Sequence, residues 1–328
     1  MPRVLPALEP ESIALAARLL RAGELVAFPT ETVYGLGARA LDPVHTARIF
    51  AAKGRPTTHP LIAHVDGPAM ARELVASWGP AAEALAAAFW PGPLTLVLER
   101  ASHVPSGVAG GGTSIAVRVP GHPCALALIR ALGEPIAAPS ANRYQGLSPT
   151  VAAHVVRSLG DAVALVLDGG PCEAGVESTV VDVRSPTARV LRPGAVPLDA
   201  LAAVWPVTRA EGPQLAAGER ASPGLDAKHY APRARLLLCA RGTLGAQVAD
   251  QLARGVDAVG ALVTEGSSSP PGARLERLDA TPTGYAHGLF AALHRLDEAG
   301  VSVVLAEAVP DTDAWAAVRD RLTRAASL

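Results

Sequence analysis

Phe28-Pro29-Thr30-Glu31-Thr32-Val33-Tyr34-Gly35-Leu36-Gly37 opens the segment that decides the fold, and Lys53-Gly54-Arg55-Pro56 with His59-Pro60-Leu61-Ile62-Ala63-His64 closes it. The apolar run at 25–28 predicts a buried strand. The turn-rich, hydroxyl-bearing stretch behind it sets backbone and small polar groups where they can surround a ligand. Asp42-Pro43 reads as a helix N-cap followed by proline at the first helical position. The helix at 44–53 ends at Gly54, a residue suited to the left-handed position that closes a helix. Lys53 and Arg55 are thereby carried at a helix exit and directed into a loop. Lys53 and Lys228 are the sole lysines among 29 Lys and Arg. A chain so biased to arginine keeps the compact ammonium at two polar loops, where a planar guanidinium is a different tool.

Working outward, residues 10–22 read as an amphipathic helix and 61–65 as a strand. Ala-rich helices follow at 68–75 and 80–89, then β-like segments at 94–98 and 114–118. A helix at 122–132 leads to a short strand at 136–138 and the loop Pro139-Ser140-Ala141-Asn142. Thr150 is expected to cap a helix reaching 159, with strands at 164–167 and 178–183. Helices and strands alternate unevenly, which predicts an α/β fold on a mixed, twisted sheet with flanking helices and not a clean doubly wound one. From residue 236 a second βα series predicts a small Rossmann-like three-layer domain. The domain boundaries read as 1–207, a Pro/Gly-rich linker at 208–232, and 233–328.

The 328 residues are 49% hydrophobic but only 4% aromatic, so the cores must be built mainly from Ala, Val and Leu. The two domains carry 16 basic against 16 acidic and 10 basic against 11 acidic side chains. Neither has the basic excess that tight non-specific nucleic-acid binding requires, and a weak RNA contact through a local basic patch is left open. Three scattered cysteines with no C-x-x-C pair argue against a zinc site or a disulfide scaffold. With no signal-peptide pattern and no long apolar span, the expected setting is cytoplasmic, with no membrane partner.

Gly35-Leu36-Gly37-Ala38-Arg39-Ala40 fits G-x-G-x-x-A, but the next helix starts at Asp42-Pro43 and no acid follows to hold a ribose, so the dinucleotide reading fails on context. There is no G-x-x-x-x-G-K-[ST], no H-E-x-x-H and no G-x-S-x-G. What remains is a set of strand-end loops offering hydroxyls, amides and cations: Thr30 and Thr32, Lys53 and Arg55, Ser114 and Arg118, Ser140, Asn142 and Ser148, Ser178 and Thr179, and Arg192. Singly each has a structural reading. Arg118 pairs with a surface carboxylate, His64 is a satisfied strand histidine, Glu177 is a solvated turn and Asp182 ends a strand. Together they describe a recognition site for anions.

The ordered set PTETVYGLG, KGRP, SIAVR, PSAN, GVESTVVDV, LRPGA and SPGLDAKHYAP resembles the YrdC-type L-threonylcarbamoyladenylate synthases in their long two-domain form, over essentially the whole chain. The resemblance implies a nucleotidyltransferase that makes threonylcarbamoyl-AMP and pyrophosphate from L-threonine, bicarbonate and ATP with Mg²⁺. A downstream tRNA threonylcarbamoyl transferase would then place the group on adenosine. It implies that Lys53 and Arg55 are catalytic. It puts threonine at Thr32, His64, Arg118, the Ala138 backbone and Ser178. ATP would lie at Lys53, Arg55, His59, Ser114, Ser140, Asn142, Ser148, Arg192 and Tyr230, with no metal held by protein alone. The linker pair Lys228 and Tyr230 would fold over the nucleotide. His59 stands where the family has Asn, and Leu225-Asp226-Ala227 replaces a more basic linker. Two alternatives stay open: a relative that transfers carbamoyl groups, and a double-stranded RNA-binding module without catalysis.

Overall fold

The computed structural model describes residues 1–210, 229–266 and 269–326. These divide into two compact units, Met1–Tyr144 with Pro149–Glu173 and Glu177–Leu225, and Gln145–Ser148 with Ala174–Val176 and Asp226–Leu328.

The first unit begins with β1 (Arg3–Pro6), α1 (Pro10–Arg21), β2 (Val26–Phe28), β3 (Gly35–Arg39) and α2 (Pro43–Lys53). It continues through β4 (Ile62–His64), α3 (Pro68–Glu73), α4 (Pro80–Phe89), β5 (Leu94–Glu99), β6 (Ser114–Arg118), α5 (Pro123–Leu132) and β7 (Ile136–Ala137). It closes with α6 (Ala152–Leu159), β8 (Leu165–Asp168), β9 (Thr179–Asp182), β10 (Ala188–Arg192), α7 (Leu198–Ala202) and β11 (Val207–Arg209). Among the described residues the strands form one sheet in the order β1-β8-β2-β3-β7-β4-β6-β5-β9-β10-β11. Its pairings are mixed: β4 with β6 and β5 with β9 are parallel, while β2 with β3, β3 with β7 and β5 with β6 are antiparallel.

The local signals explain the elements that carry the site. Every residue of β2 is buried, as an apolar run flanked by turns demands. The Asp42 carboxylate accepts from the N–H groups of Val44 at 2.9 Å and His45 at 3.3 Å, satisfying two donors that the first turn of α2 leaves open. Gly54 closes the same helix at φ +64°, where a Cβ would be strained. Two apolar layers cover the faces of the sheet. Leu36, Ile49, Leu61, Leu85, Leu96 and Val117 belong to one, and Leu20, Phe28, Leu128, Ile129 and Leu165 to the other.

The second unit holds β12 (Arg235–Cys239), α8 (Leu244–Ala253), β13 (Val259–Thr264), β14 (Arg274–Leu278), α9 (Pro282–Glu298), β15 (Val303–Glu307) and α10 (Ala316–Ala326). Its strands run in parallel in the order β12-β15-β13-β14.

Several expectations are corrected. Strands β1, β10 and β14 were not legible: β1 is mostly exposed and carries a proline, and β10 and β14 carry two arginines each. Thr150 does not cap α6, whose N-cap is Val151 with no side-chain hydrogen bond; Thr150 instead lies 3.4 Å from His154 through its hydroxyl. The expected cut at 207 falls inside β11, which pairs with β10 in the first unit's sheet. Segments 145–148 and 174–176 belong with the second unit because its backbone engages them. Ala231 N–H donates to the Gln145 carbonyl at 2.9 Å, and the Cβ that Gly175 lacks would lie 2.4 Å from the His287 carbonyl oxygen. Lys228 and most of the linker lie outside the described residues.

Candidate active site

At the C-terminal end of α2 the ammonium of Lys53 donates to the carbonyls of Ser140 at 2.6 Å and Asn142 at 2.5 Å, with the Asn142 side-chain oxygen at 3.4 Å. An ammonium has three hydrogens, and all three face protein oxygens. Lys53 is 3% exposed. Burial, and then the neighbouring Arg55 charge, hold it well below the usual lysine range, while Glu177 acts in the opposite sense. Arg55 donates to the Pro60 carbonyl at 2.9 Å, so its guanidinium folds back over its own loop. The buried ring of His59 stands edge-on to Tyr144, 5.5 Å between centroids. Lys53, Arg55, Ser140 and Asn142 are thus gathered by α2 and the loop after β7.

A second cluster lies at the ends of β4 and β6, where His64 and Arg118 are register partners. Arg118 donates to the Gly92 carbonyl at 3.3 Å and the Thr32 hydroxyl at 3.0 Å. Since Thr30 donates its one proton to the Val33 carbonyl at 2.7 Å, Thr32 must donate to Thr30 across the 2.8 Å that separates them. The chain of donors therefore runs from Arg118 through Thr32 and Thr30 to the backbone, and it orients the guanidinium. The Glu31 carboxylate lies 2.7 Å from the same Arg118 nitrogen, with side chains 4% and 12% exposed. Neither Glu31 oxygen accepts a well-aligned hydrogen bond from a described residue, so this pair is held by charge. Burial first, and Arg118 second, lower the pKa of His64 to about 3, so the ring is neutral and its Nδ1 faces the Ile62 carbonyl at 3.3 Å. The Ala138 N–H is taken by the Ile62 carbonyl at 3.0 Å.

The third cluster joins β9, β10 and β5. Arg192 donates to the Ser178 carbonyl at 2.9 Å and hydroxyl at 3.2 Å, and Thr95 lies 2.7 Å from the same hydroxyl. Gly194 makes this approach feasible: a Cβ there would lie 2.4 Å from the backbone of Glu177, Ser178 and Thr179. Ser114 opens β6, buried.

Ser148 and Tyr230 fall in the second unit. The Ser148 carbonyl meets His294 Nε2 at 3.1 Å, and the Arg321 guanidinium lies over the Tyr230 ring at 5.0 Å. Two residues read as bland are not. Glu177, expected on a solvated turn, is buried and acts on Lys53; Arg118 meets a buried carboxylate, not a surface one. Sequence reading gave no role to Glu31 or Thr95. Glu31 lay within the opening motif, but nothing local announced its partner.

The fold and these clusters define a class: an α/β protein with buried cations and hydroxyls spaced along one mixed sheet. A family model described as "Telomere recombination", that of Sua5, YciO and YrdC, matches residues 18–194. A second, described as the threonylcarbamoyl-AMP synthase C-terminal domain, matches 196–327. The threonylcarbamoyl-AMP synthase of Pyrococcus abyssi is 40% identical over 97% of this chain and 95% of its own, and that of Bacillus subtilis 40% over 96% and 92%. A solved structure of Pyrococcus abyssi Sua5 complexed with L-threonine superposes with a TM-score of 0.90 at 37% identity, covering 99% of this chain and 97% of that one. The chain belongs to the Sua5/YciO/YrdC family, in its two-domain threonylcarbamoyl-AMP synthase form.

Proposed function

We propose that this chain joins L-threonine, bicarbonate and ATP into threonylcarbamoyl-AMP and pyrophosphate, for threonylcarbamoyladenosine formation on tRNA. The observation that carries the reading is the pair of buried cationic clusters on one sheet, around Lys53 and Arg55 and around Arg118. The relatives named for this activity support it, and the threonine complex of the Pyrococcus abyssi protein supports an amino-acid site of the same kind here.

The chemistry suits the residues. The threonine amine takes up the bicarbonate carbon with loss of water to give a carbamate. A carbamate oxygen then attacks the α-phosphorus, and the phosphorus–oxygen bond to pyrophosphate breaks. No protein nucleophile is needed, in keeping with the missing serine elbow. The protein's task is to hold two anions at reacting distance with fixed donors. Arg118 takes the threonine carboxylate through its Nη1, which has no partner among the described residues. Thr32, Ser178 and neutral His64 border the amino acid as hydroxyl and ring contacts. Arg55, Arg192, Ser114, His59 and Asn142 serve the nucleotide. Lys53 contributes charge and holds the Ser140–Asn142 loop in place, its hydrogens being already spent.

ATP enters as its magnesium complex. Such an ion, held by phosphate oxygens and water, asks for few protein ligands. Handover to a tRNA threonylcarbamoyl transferase completes the reading. No helix among the described residues is long and apolar enough to cross a membrane, and the three buried free cysteines suit a reducing, cytoplasmic setting.

Pyrophosphate release is the test, measured with ATP and bicarbonate, with and without L-threonine. Release that depends on both threonine and bicarbonate is expected; release indifferent to threonine would reject the assignment.

A further inference from the structure

The second unit carries a cavity of its own, about 520 Å³ in volume, at the carboxyl ends of β12, β13 and β15. Its sheet is parallel throughout, and crevices outside the carboxyl ends of such strands are where open α/β sheets bind ligands. Arg241, Thr264, Tyr285, Glu307, Val309 and Trp315 are among its lining residues.

The polar groups are arranged for a ligand. Glu307 ends β15, and its Oε1 accepts from the N–H of Gly242 at 2.8 Å and of Leu244 at 3.3 Å, at the start of α8. A carboxylate of the protein therefore already occupies the position where a helix N-terminus would attract an anion. Its Oε2 accepts from no described residue and remains open to a donor. Tyr285 is 4% exposed, its ring edge-on to Trp315 at 5.6 Å, and its hydroxyl has no hydrogen-bond partner among the described residues. Burial, and then the Glu307 charge, raise the pKa of that hydroxyl and keep its proton on. The ring is thus buried while the hydroxyl opens on the cavity, where it can meet a ligand oxygen. Arg241, exposed in the loop after β12, has no ion-pair partner among the described residues, so a cation is available to an incoming anion.

We propose that this cavity is a second small-molecule site, and that it takes a ribonucleoside 5′-monophosphate. The ribose hydroxyls donate to Glu307 and accept from Tyr285. The base lies against Trp315 and Val309, and the phosphate pairs with Arg241. The volume is that of a cofactor-sized ligand, and a free amino acid would leave most of it open. A divalent cation is disfavoured because, among the described residues, Glu307 is the single carboxylate on the lining.

The site is separate from the first unit's clusters and stands whether or not the synthase reading does. Equilibrium dialysis of the full-length protein with 5′-AMP counts the binding events, since the first unit can itself bind a nucleotide. Glu307→Gln and Tyr285→Phe are expected to weaken one event about tenfold or more, as loss of a partner for a buried polar group does. Threonine-dependent pyrophosphate release should be unchanged. 2′-Deoxy-AMP should lose affinity at the same event and no other. Tyr285→Phe keeps the ring packing, so it decides the matter should Glu307→Gln fold poorly. AMP isotherms for Tyr285→Phe that superimpose on wild type would overturn the proposal.

Discussion

Lys53 and Asn142, 89 residues apart, are joined by a 2.5 Å hydrogen bond from the ammonium to the backbone carbonyl, with the Asn142 side-chain oxygen also facing that ammonium. The loop that carries Ser140 and Asn142 is therefore fastened to the end of α2 by one buried side chain, and the geometry of the Lys53 cluster rests on that fastening.

Removing the fastening should cost both stability and activity. Lys53→Ala leaves the carbonyls of Ser140 and Asn142 buried without their donor, at about 1–3 kcal/mol for each unsatisfied group. A drop of about 2–5 kcal/mol in the free energy of urea unfolding is expected, together with loss of pyrophosphate release. Lys53→Arg should not rescue turnover, because a planar fork cannot meet three acceptors that surround one nitrogen. Full activity in Lys53→Arg would show the tie to be dispensable.

The Glu31–Arg118 pair makes a different prediction. Arg118→Ala strands a mostly buried carboxylate, a change that costs about 3–5 kcal/mol when one partner of a buried pair is removed. It should also raise the KM for threonine far more than that for ATP. In the double variant Glu31→Gln/Arg118→Ala much of the stability should return while the threonine defect remains. Equal changes in both KM values would remove Arg118 from the amino-acid site.

His64 predicts a pH dependence with a definite sign. Its folded pKa of about 3 lies below the ordinary 6.5, so the unfolded chain takes up the proton first. The contribution is complete above pH 6.5 and is lost as the pH falls from 6.5 toward 3, by up to about 1.4 kcal/mol per pH unit. Urea unfolding followed from pH 7 to pH 4 should show a shallower decline in His64→Gln than in the wild type. Parallel curves would mean that the ring is charged in the folded protein.

Gly194→Ala should displace the third cluster. The new methyl meets three backbone atoms at 2.4 Å, none of which belongs to a side chain that could move aside. Overpacking of this kind costs about 1–3 kcal/mol. The thermal midpoint should fall, and the Ser178–Arg192 contact should loosen enough to raise the KM for at least one substrate. An unchanged melt would mean that the loop after β10 yields freely.

How far the chain could be read in advance depends on the range of each signal. Asp42, Pro43 and Gly54 set the ends of α2 through contacts within a few residues, so the helix and the position of Lys53 at its exit were legible. The alternation of β and α segments was legible for the same reason, as were the hydroxyl-rich loops at strand ends. Strands β10 and β14 were not, because each carries two arginines, whose tolerance comes from the neighbouring strands. Glu177 looked like a solvated turn, and it is buried, with its carbonyl accepting from the distant Ala195 N–H at 3.2 Å. Arg118 looked like a surface cation until Glu31 and Thr32 were brought to it from 86 and more residues away.

The sequence by itself determined the ends of α2 through Asp42, Pro43 and Gly54, which side chains ride on the loops that make up the motifs, and the family those motifs announce. The tertiary structure alone decided which loops share a cluster, that Ser148 and Tyr230 belong with the second unit, and which charges meet in a dry interior. The division has a physical cause. Capping and hydrophobic periodicity act over a few residues, whereas the partner of a buried charge is chosen by the packing of the whole chain, which no short stretch encodes.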